Sequence, residues 1–290
     1  MSKIAILTDS SCDIPQEMAE KYGIDIMSFH ILLDDVDYVE RESCTNTEFY
    51  DKMRLAKGVP STAAITPIQF CEKYCQYVDE GYTDVIHVPI NKSGSSTYNN
   101  AVMAQGMLRE ERPEHHLKIH LIDPHTYSMV FGWYLCEMAR KLRNGAEIPM
   151  VIHEFEDRMN RMEIILGPYS LKQMKKSGRI SAAAAVMGEL MGVRPIITLI
   201  DGKTKVESKV RGDDKVIPAM IDLCKKRTEG VEDFDYMIGH TSIPQAAELE
   251  KACRKAFGKA PLVTFNLGGV VSANTGPDTL ALVYVGKPRD

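Results

Sequence analysis

Three stretches of this chain concentrate hydroxyl groups: Thr8-Asp9-Ser10-Ser11, Ser61-Thr62 and Ser93-Gly94-Ser95-Ser96-Thr97. They fall where β-forming runs should end, and the third leads straight into a helix-forming segment. In an open α/β sheet, ligands settle in the crevice at the carboxyl ends of the strands. A helix N-terminus at that rim adds unpaired N–H groups and partial positive charge, which suits carboxylate or phosphate oxygens. The plainer reading of any one such hydroxyl is a cap for its own helix. Three segments converging on one rim put an anion site on an equal footing with the caps.

Other reactive side chains point to less. Asn274-Thr275-Gly276-Pro277-Asp278 has the residues of a tight turn before a last strand. Arg179, following Gly178, reads either as an anion clamp or as a solvated charge at a helix start. His115, His116 and His120 are close in sequence but bring no acidic ligand, and His153-Glu154 has Asp157 where a zinc-protease helix needs a second histidine. Cys71 and Cys75, one helical turn apart, read as a half-buried helix face. No metal site is expected. No serine sits in a Gly-x-Ser-x-Gly elbow and no Gly-x-x-x-x-Gly-Lys-Ser/Thr loop is present, so neither hydrolase nor nucleotide chemistry is expected by those routes. Met159, Met162, Met187 and Met191 suit an adaptable apolar pocket, though plain core explains them as well.

The elements that must position these groups alternate in the first half. Strands are expected at Lys3–Leu7, Ile24–Leu33, Asp84–Ile90 and Lys118–Ile122. Helices are expected at Ile14–Tyr22 with Asp13 as N-cap, from Thr45 to Gly58, from Thr66 to about Glu80, at Thr97–Glu110 and at Ser128–Arg143. Thr45-Asn-Thr-Glu48 and Thr66-Pro-Ile-Gln69 are capping boxes. Strands separated by helix-length segments imply βαβ units, hence a doubly wound parallel sheet. The second half has a different rhythm. A helix at Pro149–Arg161 precedes a strand at Ile164–Leu166, a segment Ser170–Lys176 and an Ala-rich helix Ser181–Met191. Asp201-Gly202 sits between two β-rich runs, Arg194–Ile200 and Lys203–Val210, the strongest hairpin signal in the chain. Helices at Lys215–Arg227 and after a Ser242-Ile-Pro-Gln245 box follow, with strands at Asp235–Gly239, Pro261–Phe265 and Leu280–Val285. This is an α+β pattern, and the boundary is placed near residue 160.

Composition sets outer limits. With 290 residues the chain has room for about two domains. Its 44% hydrophobic and 26% charged residues exclude disordered and fibrous classes. A net charge of −5 argues against nucleic acid, which requires a basic footprint. No apolar run approaches a membrane span, and the start is too short and too soon acidic for a signal peptide. Seven cysteines without a paired framework fit reduced thiols, so a cytoplasmic setting is expected.

Taken in order, the segments resemble the DegV family, the fatty-acid-binding proteins of bacteria. The matching pieces are Ile6–Ser11, Pro60-Ser-Thr62 with Thr66-Pro67, Ser95-Ser-Thr-Tyr98, Asp123 with Ser128 and Gly132, Gly178–Ser181, Arg194-Pro-Ile196 with Asp201-Gly202 and Lys209-Val-Arg211, and Thr275-Gly-Pro277. The resemblance spans essentially the whole chain. It implies a doubly wound α/β domain at 1–160 and a smaller α+β domain at 161–290, with a long-chain fatty acid between them. Carried over position by position, it assigns the carboxylate to Thr62 and Ser95. Asn274, Thr275, Arg179, Asp9, Ser10 and Ser96 are the candidates for a supporting or partner-facing role. It implies no cofactor, and a palmitate-like ligand that is carried in lipid metabolism or presented to a separate ATP-dependent fatty-acid kinase. The alternative is a stand-alone transferase or hydrolase on the same scaffold. Where the family reads Thr-His-Thr-Gly-Pro-Gly, this chain reads Ala273-Asn-Thr-Gly-Pro-Asp278, so Asn274 stands at the histidine. An amide hydrogen-bonds a carboxylate but does not gain or lose a proton near neutral pH.

Overall fold

The computed structural model describes residues 3–178 and 192–289. β1 (Ile4–Asp9) runs into a 3-10 turn at Ser10–Cys12, then α1 (Gln16–Tyr22), β2 (Ile24–Met27), β3 (His30–Leu33) and β4 (Val36–Val39). α2 (Asn46–Leu55), β5 (Ser61–Ala63), α3 (Pro67–Asp79), β6 (Asp84–Val88), α4 (Thr97–Glu111), β7 (Lys118–Leu121), α5 (Met129–Arg143) and α6 (Ile148–Met159) follow. Next come β8 (Met162–Pro168), α7 (Lys172–Ser177), β9 (Val193–Ile200), β10 (Lys203–Arg211) and α8 (Val216–Arg227). β11 (Tyr236–His240), α9 (Gln245–Phe257), β12 (Thr264–Asn266), α10 (Gly269–Thr275) and β13 (Thr279–Val285) end the chain.

Among the described residues the strands form three sheets. A parallel sheet has the order β2-β1-β6-β7, and its strands are joined by helical crossovers as the alternating pattern predicts. A six-stranded mixed sheet has the order β10-β9-β8-β13-β11-β12. A small antiparallel sheet, β4-β3-β5, covers one end. The fold is thus a parallel-sheet α/β unit packed on a mixed-sheet unit, as the sequence indicates. Among the described residues no helix is long and apolar enough to cross a membrane.

Side-chain alternation along the strands builds the layers. Ala5 and Leu7 on β1 pack with α3 and α4, whereas Ile6 faces the opposite way, into the core shared with α5 and the mixed sheet. On the mixed sheet, Ile164, Leu166, Ala281 and Val283 face that shared core, while Ile165, Leu280, Leu282 and Tyr284 pack against α8 and α9. Among the described residues the inner faces of the two large sheets thus meet in one shared core, while their other faces are covered by helices.

Local signals held where the cap or turn is close in sequence. Both capping boxes form, with Thr45 and Thr66 as N-caps. The Asp201-Gly202 hairpin forms, with φ of 51° and 70° at its two central residues. Five expectations need correction. Asp13 does not cap α1: it stands at φ 54° and its carboxylate accepts from the Ser128 hydroxyl. The run 24–33 is two strands in different sheets, because the Phe29 N–H leaves the ladder and donates to Ser10 Oγ at 3.0 Å. Ser242 does not cap α9. Its φ of 56° turns the hydroxyl away to Asn266 Oδ1, at 3.0 Å. α2 ends at Leu55 rather than at Gly58, whose N–H is taken by Asp34 Oδ1 at 2.8 Å. The turn expected at Asn274–Asp278 begins only after a helix, α10, that carries Asn274 and Thr275. The Ala-rich helix expected at Ser181–Met191 lies outside the described residues.

Candidate functional site

A cavity of about 190 Å³ lies between the carboxyl edge of the parallel sheet and the inner face of the mixed sheet. Its apolar wall follows from strand register. Leu166 pairs with Ala281 and Ile164 with Val283 across β8 and β13, and Leu199 of β9 is the partner of Ile164 on the other side. All five side chains line the cavity, together with Phe265 and Leu267 after β11. Small Ala281 in the middle of that row leaves the space that a larger residue would fill.

The polar end draws on separate parts of the chain. Thr62 on β5, Ser95 and Ser96 before α4, and Asn274 and Thr275 at the end of α10 all line the cavity. Residues 33 positions and more apart in sequence are brought together by the sheet order, as the carboxyl-edge rule predicts. Thr275 is 5% exposed, and its Oγ1 is buried with no hydrogen-bond partner among the described residues. A buried hydroxyl without a partner is costly, so this oxygen is poised for a group that enters the cavity. Ser95 Oγ accepts the Thr97 N–H at 3.2 Å and lies 2.9 Å from Thr97 Oγ1. It therefore caps its helix while lining the cavity. A serine oxygen that accepts twice still keeps its own proton to donate. Asn274 spends an amide proton on Val270 O, 2.8 Å away, one turn back on its own helix.

The field at this end favours an anion. The 15-residue helices α4 and α5 both begin on the cavity, and neither N-cap residue, Ser96 or Ser128, uses its side chain to cap the helix. A helix start carries partial positive charge, so two of them at one cavity favour an anion, although the Thr97 N–H of α4 is already taken by Ser95 Oγ. Among the described residues no lysine or arginine lines the cavity.

Behind the lining sit three acidic side chains, and each holds a cavity residue in place. Asp9, fully buried, accepts from Ile90 N at 2.6 Å and from Ser11 N at 3.1 Å. Glu40 accepts from Val270 N at 2.8 Å and from the Ser10 hydroxyl, which in turn receives Phe29 N–H. Asp13 accepts from the Ser128 hydroxyl. Ile90, Val270, Phe29 and Ser128 all line the cavity. Burial pushes all three carboxyls up, Asp9 to about 7. Gly268 lets Asp13 and Glu40 come this close, because a Cβ there would lie 2.1 Å from Asp13 Oδ1.

Of the residues singled out from sequence, the structure brings Thr62, Ser95, Ser96, Asn274 and Thr275 to one cavity. Asp9 and Ser10 stand one shell back, as supports of the lining. Arg179 lies outside the described residues. The three histidines of residues 115–120 do not gather, and His120 pairs with Asp84 at 3.0 Å. Sequence reading missed Glu40 and Tyr127, and it took Ser128 as a helix start and a residue of the family resemblance without assigning it a place at the site. Glu40 stands in Glu40-Arg-Glu42, which looks like surface charge.

Comparison with known proteins agrees with this architecture. The family model described as an uncharacterised protein of the DegV family matches residues 3–287. A DegV domain-containing protein of Clostridium perfringens is 28% identical over 289 residues, covering 98% of this chain and 99% of its own. A solved Thermotoga maritima protein, described as revealing a fatty acid binding function, is 25% identical with a TM-score of 0.82 and covers 99% of this chain and 100% of its own. A stearic acid-binding protein from Eubacterium ventriosum superposes with a TM-score of 0.89 at 23% identity, covering 99% of each chain.

Proposed function

The chain belongs to the DegV family, and from that premise we propose that it binds a long-chain, palmitate-like fatty acid in the cavity between its two large sheets. The carboxylate lies at Thr62 and Ser95, with Thr275 as a further donor, and the acyl chain runs along Ile164, Leu166, Ala281 and Val283. In this reading residues 1–160 form one domain, which supplies most of the head-group donors. Residues 161–290 form a second, which closes the acyl tunnel.

The observation that carries the reading is the unpartnered, buried Thr275 Oγ1 at the polar end of an otherwise apolar cavity. Apolar space explains a hydrocarbon tail, and the waiting donor explains an oxygen at its end. The energetics agree. About 15 carbons buried at roughly 0.8 kcal/mol each give a gross gain on the order of 12 kcal/mol. Lost translational and rotational freedom removes ~4–15 kcal/mol, so tight binding needs a preformed cavity. Hydroxyls and helix N-termini then compensate the carboxylate without a lysine or arginine. Such an arrangement suits a carrier. It holds the carboxyl group for transport, or for presentation to a separate ATP-dependent kinase that supplies the chemistry.

Titration of the delipidated protein with palmitate and with methyl palmitate tests the reading. Palmitate should bind tightly and the uncharged ester much more weakly. Equal affinity for the two would remove the carboxylate site, and no binding of either would remove the proposal.

A further inference from the structure

On the outer face of the parallel sheet, Cys71 and Cys75 of α3 meet Glu111, the last residue of α4. One ligand atom from each lies within 4.8 Å of the others. We propose that these three residues bind a thiophilic divalent cation of the zinc class, leaving its fourth position to water.

The geometry fits that ion. With metal–sulfur and metal–oxygen bonds of about 2.3 and 2.1 Å, a tetrahedral site places sulfur and oxygen about 3.6 Å apart. The Cys75 thiol donates to Glu111 Oε2 at an Sγ–Oε2 separation of 3.6 Å, so an ion that replaces the shared proton finds the two ligand atoms at that spacing. Both cysteines are on one helix face, four residues apart, and both are buried, so the backbone fixes them before any ion arrives. Glu111 is exposed and closes the site from the solvent side. The C-terminus of α4 carries partial negative charge, which favours a cation there. Arg112, held to Asp79 at 3.4 Å, balances part of the negative charge of two thiolates and a carboxylate. Soft sulfur ligands select zinc-like ions over magnesium or calcium.

On binding, each thiol loses its proton to solvent and its sulfur donates an electron pair to the metal, while the Glu111 carboxylate supplies the third pair. Two protons leave per ion. The site is separate from the lipid cavity. Ser95 precedes the first residue of α4 and Glu111 is its last, which at 1.5 Å per residue puts them roughly 20 Å apart.

The test uses the full, reduced chain with cadmium as spectroscopic probe and zinc as competitor. A sulfur-to-metal charge-transfer band should saturate at one ion per chain, release two protons and be displaced by zinc but not by magnesium. Cys75→Ser should abolish the band. Glu111→Gln, an exposed change that spares the core, should weaken affinity at least about tenfold, since even outer-shell partners are worth that much. The Cys44→Ser protein should keep the band, and palmitate affinity should not change in any variant. A band that survives Cys75→Ser, or Glu111→Gln affinity equal to wild type, would overturn the proposal.

Discussion

Glu40 Oε1 accepts the backbone N–H of Val270 at 2.8 Å, across 230 positions of sequence. This bond gives α10 an external N-terminal cap, and α10 carries both Asn274 and Thr275 to the cavity. A buried carboxylate oxygen in the first half of the chain thus sets the position of a cavity-lining hydroxyl in the second. Replacing it by Glu40→Ala strands the Val270 N–H and the Ser10 hydroxyl, which should cost about 1–3 kcal/mol of stability. The same variant should bind palmitate more weakly, and Glu40→Gln, which keeps an oxygen for Val270, should lose less of both. Denaturant unfolding and palmitate titration on the two variants check this. Wild-type affinity in Glu40→Ala would show that α10 needs no such tie.

Thr275→Val separates a ligand donor from a structural one. Its hydroxyl has no protein partner, so an isosteric methyl should leave the ligand-free protein as stable as before or more so. Affinity for palmitate should fall, because a hydrogen bond to a charged group is worth about 1.5–3 kcal/mol, roughly 10- to 150-fold. Melting temperature and affinity moving in the same downward direction would contradict the assignment.

The Ser95 hydroxyl caps α4 and lines the cavity, so under the proposed reading its removal should register in both measurements. Ser95→Ala should cost about 1 kcal/mol of stability through the lost Thr97 cap. It should also weaken palmitate by an amount comparable to Thr62→Val, which removes no cap. Asn274→Ala should affect affinity less than either, since its amide is already engaged by Val270 O. A pure stability loss in Ser95→Ala would reduce that residue to a cap.

Ala281 is the smallest side chain in the apolar row of the cavity, beside Leu166, and in the proposed reading it sets the room for the acyl chain. Ala281→Leu adds three carbons to the wall and should exclude about as many from the ligand. The loss for palmitate should be about 2 kcal/mol, on the order of thirtyfold, with shorter chains penalised less. Competition between palmitate and shorter acids reads this directly, and an unchanged preference would move the tail elsewhere.

Asp9 gives the protein a pH signature. Burial raises its carboxyl from 3.8 to about 7 in the folded state, so between those values the unfolded chain releases a proton that the folded one keeps. Stability from this group is full below pH ~4, falls as pH rises toward 7, and is flat above, by an amount on the order of a few kcal/mol. Asp9→Asn cannot ionise and should lack that fall. The difference between the two stability–pH curves isolates the group from the exposed carboxylates. Parallel curves across the interval would mean that Asp9 ionises in the fold as easily as outside it.

What was legible in the sequence follows the range of the interactions. Thr45 and Thr66 cap helices through partners three residues away, and the Asp201-Gly202 turn needs only its own two dihedral angles. The doubly wound pattern and the meeting of the Thr62 and Ser95 segments at one sheet edge were readable because strand ends gather by a general rule of topology, whereas Thr275 read as part of a tight turn and stands on α10. Asp13, Phe29 and α10 were misread because their partners, Ser128, Ser10 and Glu40, lie 19 to 230 positions away. Nothing local distinguishes a buried Glu40 from the charged residues beside it. The same holds for Cys71 and Cys75, which are an ordinary helix face until α4 places Glu111 beside them.

The central claim is tested most directly by denaturing mass spectrometry of lipid extracted from the purified protein. The account predicts about one long-chain fatty acid per chain, lost in the Thr62→Val, Ser95→Ala double variant while its fold is retained. A chain that carries no fatty acid as purified, and takes up none when palmitate is added, would contradict it.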